Sequence, residues 1–403
     1  MHLEVMRWPS PYRCAFGITD DPDHCTTERV RVIYDFCEQH GVYPTRGTWV
    51  LNPRRTCGIV NQDEPDEGVT LEDPEYLELC RSLIERGFEI GLHGVSAGDN
   101  TREDVIEGIA RFRELLGVEP RIIFFHSHNA EHLYWGSSFT KSRVRRALVR
   151  LLVPHKPEEY EGHNPESEYF CGDVSFEAFS YTRLFRTTCV NTLKKNPSMP
   201  YHMYDKPMVR HWFSSTAEDL DACATITPKS IDRLAREDGM MLMYAHMGEK
   251  FVTEDGSVHP IAARGLELIG SRKDCWKAGV STLLDRCLAM KNLIVTHQRD
   301  GVVICNPSKF DLDRVQIRSG VDRLYLSTGE ELEKNADGVF VIDSINAQQS
   351  ITLYSSAHHA TIGDPAGISK LEIVRMQGEE VKRLILLRRL KQLRKWLSRS
   401  THG

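Results

Sequence analysis

The sequence predicts an α/β fold with parallel strands inside and helices outside. Three observations carry that expectation. Strand-like and helix-like segments alternate through the first two-thirds of the chain. Polar clusters rich in Asp and His repeatedly follow apolar, strand-like runs. Near Asn292 the pattern changes to short β-rich segments without a helical period. A barrel and an open doubly wound sheet both fit this alternation.

Taken in order, Tyr12 to Ile18 reads as a buried strand. A helix begins at Thr26 or Thr27 and runs to about His40, where Gly41 stops it. Thr48 to Leu51 is apolar and β-prone. Asp73 to Arg86 spaces Tyr76, Leu77, Cys80, Leu83 and Ile84 as a helix does, with Gly87 as the stop. Phe88 to Leu92 is the next strand. Asn100 or Thr101 caps a helix with apolar residues at Val105, Ile109, Phe112 and Leu116, and Gly117 ends it. Further strands are expected over Arg121–Phe125, Met208–Phe213 and Met240–Ala245, with a helix over Ser281–Ala289. The β-rich segments are Leu293–Val295, Gly301–Cys305, Val315–Ile317, Gly338–Ile342 and Ser350–Tyr354, with Asp364 to Gly367 as a linker.

Composition narrows the function classes. With 40% hydrophobic and 27% charged residues, the chain is an ordinary globular one, not a disordered or multi-span membrane protein. The start has no long apolar stretch, so no secretory signal is expected and the location is expected to be cytoplasmic. The eleven cysteines include no C-x-x-C pair, which suits reduced, buried thiols. No glycine-rich phosphate-binding motif follows a strand. After Glu380 there are eight Lys and Arg and no acid, so residues 1–380 carry 43 basic against 57 acidic side chains, a net −14. An acidic body argues against nucleic acid as a partner.

The chemistry-bearing residues gather at strand ends. Asp20 and Asp21 follow the first strand, and His93 ends the strand over 88–92. His126, His128 and Asn129 follow 121–125, Asp173 follows Tyr169 to Gly172, and His246 ends 240–245. In a parallel barrel those ends form one face, which holds the active site. A carboxylate with two imidazoles is a common divalent-metal set with open positions, and a nearby free carboxylate and histidine can act as base and acid. Of His126 and His128, the former is closer to its strand end and is the preferred ligand. Asp23, His24 and His132 are expected beside the site or on the surface. Tyr134-Trp135 and Arg210-His211-Trp212-Phe213 read either as aromatic site walls, suited to sugar rings, or as core.

These motifs resemble a known family. Phe16-Gly-Ile-Thr-Asp20-Asp21 resembles the T-F-D-D motif of polysaccharide deacetylases of the NodB-homology type, carbohydrate esterase family four. Phe88-Glu-Ile-Gly-Leu-His93 resembles its H-E-I-G-x-H segment, and Met240 to His246 its late strand-plus-histidine motif. The resemblance spans roughly residues 10–290. It implies a distorted (β/α) barrel, placed over 1–290; the β-rich segments and the basic end read from the residues themselves add a small C-terminal β module over 291–366 and a basic helical tail over 367–403. The resemblance implies Asp20 as general base and Asp21 and His93 as ligands of a divalent metal, zinc before others. His246 would be the general acid in removing an acetyl group from a saccharide. The family's second metal histidine falls here on Ala97, so the chain resembles a divergent branch in which His126 takes that place. His128, Asn129, Trp135, Asp173, Arg210 and Trp212 are then the expected substrate contacts.

In the tail, Leu386, Leu390, Leu393 and Leu397 line one side of a helix among basic residues. Such a helix over 381–398 suits an anionic membrane surface, and with it a lipid-linked glycan, or docking on another subunit. The alternatives to a deacetylase are an inactive glycan-binding descendant of the barrel and a different metallohydrolase, such as a phosphoesterase. The last is disfavoured for want of the extra carboxylates of a two-metal site.

Overall fold

The computed structural model describes residues 2–58, 67–135, 160–216 and 219–356. The chain forms two compact units. One spans Pro11–Cys287, and the other joins residues 1–10 to those from Leu288 onward. The first strand, β1 (Leu3–Pro9), therefore belongs to the second unit, where the sequence had grouped it with the barrel. The segment 381–398 and the linker at 364–367 lie outside the described residues.

The larger unit is a distorted (β/α) barrel. Its closing strands are β2 (Cys14–Asp20), β3 (Thr45–Thr48), β4 (Glu89–Leu92), β5 (Ile122–Ile123), β6 (Tyr181–Thr187), β7 (Trp212–Thr216) and β8 (Met240–Ala245). They pair in parallel in that order, and β8 returns to β2. The distortion has a visible source. The start of β2 pairs with an extra strand, β9 (Cys275–Lys277), and only its end, Thr19 and Asp20, pairs with β3. The added strand splits one seam of the barrel from below.

The helices pack outside. They are α1 (Thr27–Gln39), α2 (Pro74–Glu85), α3 (Arg102–Leu116), α4 (Gly172–Ala178), α5 (Thr192–Lys195), α6 (Asp219–Ala224), α7 (Pro228–Arg236), α8 (Met247–Lys250), α9 (Pro260–Ser271) and α10 (Val280–Asn292). Their starts are set by side chains. Thr26 caps α1, Asp73 caps α2, and Thr101 with Asp104 forms a reciprocal capping box on α3. Gly117, at φ 68°, closes α3 in the left-handed conformation that glycine tolerates best. The core between barrel and helices is built from both, for example Ile33, Leu79, Phe112 and Leu266 against Phe16, Ile90 and Met243.

The second unit holds two antiparallel sheets. One has the order β1, β12 (Leu312–Ser319), β15 (Phe340–Ile345). The other runs β10 (Ile294–His297), β11 (Gly301–Asn306), β16 (Gln349–Tyr354), β13 (Leu324–Leu326), β14 (Glu331–Leu332). Val302, Ile304 and Leu353 from one sheet share a core with Val315, Ile317 and Phe340 from the other. All eleven cysteines are free thiols, and Cys189 alone is exposed. Among the described residues no helix is long and apolar enough to cross a membrane.

Candidate metal centre and active site

Parallel register gathers the site. β2 and β8 pair from Ala15 opposite Met240 to Asp20 opposite Ala245, so Asp21 and His246 leave the barrel side by side. Thr48 lies opposite Leu92, and Leu92 opposite Ile123, which brings Trp49, His93 and the loop after β5 to the same rim. The result is a cleft of about 470 Å³ at the C-terminal ends of the strands, where barrels place their chemistry. Phe124 fills the lumen beneath it, 5.8 Å from the His93 ring and 5.0 Å from the Arg183 guanidinium.

Three side chains converge at one point. Asp23 Oδ1 is 3.2 Å from His126 Nε2, and Asp23 Oδ2 is 3.4 Å from His93 Nε2. Asp23 Oδ2 and His93 Nδ1 are both buried without a hydrogen-bond partner, a costly arrangement unless something else ligates them. One carboxylate and two imidazoles facing a cleft are a donor set that fits a divalent transition metal with open coordination positions. Burial would raise Asp23's carboxyl, but the two imidazoles outweigh it and hold the group well below the usual carboxylate range. Trp49 is fully buried against both rings, at 6.0 and 5.7 Å, and its Nε1 donates to His93 O.

Asn129 decides which nitrogen His126 offers. Its Nδ2 donates to the Ser96 and Gly98 carbonyls and to Glu131 Oε1, at 3.0, 2.7 and 2.9 Å. That fixes Oδ1 as the acceptor 2.7 Å from His126 Nδ1. Nδ1 then carries a proton, and Nε2 is the nitrogen that faces the convergence, where it can give up its own proton to a metal.

Two acid–base pairs flank the trio. Asp21 takes a two-pronged ion pair from Arg183, at 2.8 and 2.6 Å. Burial opposes Arg183's charge, and Asp21 more than compensates, keeping the guanidinium above its ordinary value. On the other side, Asp219 faces His246 Nδ1 at 3.2 and 3.3 Å and accepts from the His246 backbone N at 2.7 Å. Burial works against the imidazolium, but Asp219, Asp21 and Asp23 push its pKa up to about 9. His246 Nε2 faces inward, 3.1 Å from Tyr244 OH and 3.7 Å from Asp23 Oδ2. Asp219 and His24, both on the cleft wall, hold left-handed φ values of 55° and 51° without being glycine. Such strain clusters at functional sites.

Several expected site residues lie elsewhere. Asp20, read as the general base, is fully buried outside the cleft. Its carboxylate meets Arg46 at 2.7 Å, Tyr34 OH at 3.0 Å and Met247 N at 2.7 Å. Successive residues of a strand face opposite sides. Thr19 and Asp21 both meet Arg183, while Asp20 points the other way, to the layer covered by α1 and α2. Asp21 is thus the carboxylate paired with arginine at the cleft, and Asp23 the one between the two histidines. Asp173 follows no strand. It sits in the first turn of α4, half-exposed, and pairs with Arg102 at 2.6 Å. Arg210 donates to Phe176 O at 2.6 Å and pairs with Glu177, outside the cleft. Trp212 is wholly inside the core. His128 and Trp135 do line the cleft, and Asn129 is buried behind His126.

Arg183 and Asp219 escaped the sequence reading because β6 and α6 were not recognised. Asp23 had a signal in its spacing, two residues after Asp21 across Pro22 on one tight loop.

No family model matches the chain, and no curated protein does. Solved structures do. The chain is similar to the PuuE allantoinase at 13% identity, over 70% of this chain and 93% of that one, with a TM-score of 0.39. It is similar to a probable polysaccharide deacetylase from Pseudomonas aeruginosa at 12%, over 70% and 93%, with a TM-score of 0.38. It is also similar to a family 4 acetyl xylan esterase from Clostridium thermocellum, solved with a cobalt ion, at 11%, over 67% and 89%, with a TM-score of 0.30. What this chain does is read from its own side chains.

Proposed function

We propose that the protein is a metal-dependent hydrolase that removes an acetyl group from a saccharide. The observation that carries this reading is the convergence of Asp23, His93 and His126, with orphaned buried atoms, between an arginine-held carboxylate and a carboxylate-held histidine. A divalent cation held by Asp23, His93 and His126 would supply Lewis-acid polarisation of the acetyl carbonyl and acidification of water.

The chain's own residues do the rest. Arg183 holds the Asp21 carboxylate in place at the cleft, where it takes the proton from the attacking water. The new C–O bond forms at the acetyl carbon, and the bond from that carbon to the sugar's nitrogen or oxygen breaks. His246, kept charged by Asp219, gives its Nε2 proton to the leaving atom. The products are acetate and the free amine or hydroxyl. Trp135, stacked on His132 at 5.1 Å, offers an apolar face for a sugar ring at the cleft wall.

Elemental analysis of the purified protein, with acetate release from N-acetylated and O-acetylated sugars, tests this. One metal per chain and metal-dependent acetate release are expected, and His126→Ala should lose both. Stoichiometric metal without acetate release would leave a glycan-binding protein. Full metal content in His126→Ala would remove that residue from the ligand set.

A further inference from the structure

We infer that the proton His246 supplies reaches the leaving atom through Tyr244, whose hydroxyl is the group that touches the substrate. The inference rests on the deacetylation proposed for the same cleft and refines its last step.

Strand geometry puts the two side chains together. Tyr244 lies on β8 opposite Thr19 of β2. Thr19 Oγ1 accepts from Arg183 Nη1, so this is the side of the pleat that looks toward the cleft. Residues two apart on a strand share a face, and His246, just past the end of β8, shares this one. The two rings meet edge to face at 5.1 Å and 70°. Arg183, whose terminal nitrogens are held by Asp21, lies 4.3 Å from the centre of the tyrosine ring and covers it. Tyr244 is only 8% exposed, so its ring is fixed and its hydroxyl alone is left to turn.

Proton accounting sets the direction. In the charged His246, Nδ1–H is directed at Asp219, at 3.2 and 3.3 Å. That leaves one hydrogen, on Nε2, with two oxygens near it. Tyr244 Oη lies at 3.1 Å, within hydrogen-bond reach, and Asp23 Oδ2 at 3.7 Å, beyond it. Nε2–H therefore donates to Tyr244 Oη. A phenol that accepts there turns its own hydrogen elsewhere, and among the described residues Oη has no other partner. Burial, with Asp21 and Asp23 nearby, outweighs Arg183 and pushes the phenol above its ordinary value, which keeps that hydrogen on the oxygen. The result is a neutral donor on the cleft wall, backed by an imidazolium.

The step balances without a further reactant. As the bond from the acetyl carbon to the sugar's nitrogen or oxygen breaks, its electron pair stays on the leaving atom. That atom takes the Tyr244 hydroxyl hydrogen, and Oη takes the hydrogen from His246 Nε2. Tyr244 ends as it began, and His246 ends neutral with its Nδ1 hydrogen still on Asp219.

Tyr244→Phe tests this, because it keeps the ring under Arg183 and removes only the oxygen. In the metal-loaded full chain, acetate release from N-acetylglucosamine is compared with hydrolysis of 4-nitrophenyl acetate, whose leaving phenolate needs no proton. We expect the amide rate to fall at least about a hundredfold relative to the ester rate, the scale of a lost general acid. In chelator-treated protein without substrate, the His246 Nε2 hydrogen should exchange with solvent about tenfold faster in the variant, as a lost hydrogen bond predicts. The His246 titration should meanwhile stay near 9. The wild type alone should show a nuclear Overhauser cross-peak from that hydrogen to the Tyr244 ring, a readout that needs no variant to fold. An unchanged amide-to-ester ratio, whether both rates hold or both fall, would overturn the inference, as would unchanged exchange or a missing cross-peak. Acetate release that survives intact in Tyr244→Phe defeats this inference alone, whereas no acetate release from the wild type defeats the deacetylase reading beneath it.

Discussion

Two adjacent carboxylates at the end of β2 each pair with an arginine, and the pleat between them separates two roles. Asp20 and Arg46 are both fully buried between barrel and helices, with Tyr34 and Met247 N completing the acid's bonds. Asp21 and Arg183 meet at the cleft, beside His93 and His246. The residue types are the same, although Arg183 grips Asp21 with both terminal nitrogens and Arg46 meets the Asp20 carboxylate with one. The difference lies in what else each acid can reach. Asp20 ties β2, β3, α1 and the turn after β8 together, and so fixes where Asp21, Asp23 and His246 stand. Asp21 faces the space where a substrate would sit.

The largest effect that would sharpen this contrast is at Asp21. Asp21→Asn should lower kcat by about a thousandfold, within the range for losing a general base, while metal content stays near that of the wild type and the thermal midpoint falls less than in Asp20→Asn, because Arg183 opens on the cleft and Arg46 does not. Steady-state acetate release with elemental analysis reads both. Loss of the metal would instead make Asp21 a ligand, as the motif resemblance implied.

Asp20→Asn should do the opposite. It leaves Arg46 buried without its counter-charge, a defect of about 3–5 kcal/mol, measurable as a lower denaturant midpoint. The molecules that remain folded should keep metal and turnover. Replacing both partners, as Asp20→Leu with Arg46→Met, should recover much of the loss, because the desolvation cost leaves with the charges. If Asp20→Asn proved stable but inactive, the two pairs would have to exchange roles.

Asn129 ranks next. Asn129→Ala removes the acceptor that fixes the His126 tautomer and should weaken metal binding by about 10–100-fold, seen in a competition titration with a chelator. Burial pushes Glu131, which holds the Asn129 amide, up to about 7 despite the amide N–H bonds. The whole Glu131–Asn129–His126 string is therefore part of the support for one ligand atom.

Much of this was legible in the sequence. The run Met240–Ala245 is the strand it reads as, and Thr26, Asp73 and Thr101 cap the helices their chemistry suggests. His93, His126 and His246 reach one cleft because apolar runs ending in histidine are strands ending at a common rim. What could not be read is the direction of side chains over one residue. The pair Asp20–Asp21 straddles the end of the pleat, and nothing local says which member faces inward. β6 was hidden for a related reason. Its segment mixes arginines with apolar residues because Arg183 and Arg186 serve the cleft, so it lacks a clean alternation. Tyr169–Gly172 showed the converse, with apolar residues that pack a loop and a helix start instead of a strand.

The smallest effect concerns pH and tests whether the second flanking pair works as the Asp21–Arg183 pair does. His246 is raised from 6.5 to about 9 chiefly because Asp219 hydrogen-bonds it against the pull of burial. Because the folded value lies above the unfolded one, the stabilisation from this charge is fully present below about pH 6.5 and is lost as pH rises through about 9. An acid that Asp219 keeps charged in this way also sets the alkaline limb of turnover. Asp219→Asn removes the negative charge while keeping a side chain that can bond Nδ1. The His246 titration, followed by NMR in chelator-treated protein, should then move down toward 6.5, and the alkaline limb of kcat in the metal-loaded enzyme should move to lower pH with it. An unmoved limb alongside a moved titration would mean that another group delivers the proton, and Tyr244, 3.1 Å from the same nitrogen, would be the residue to replace next.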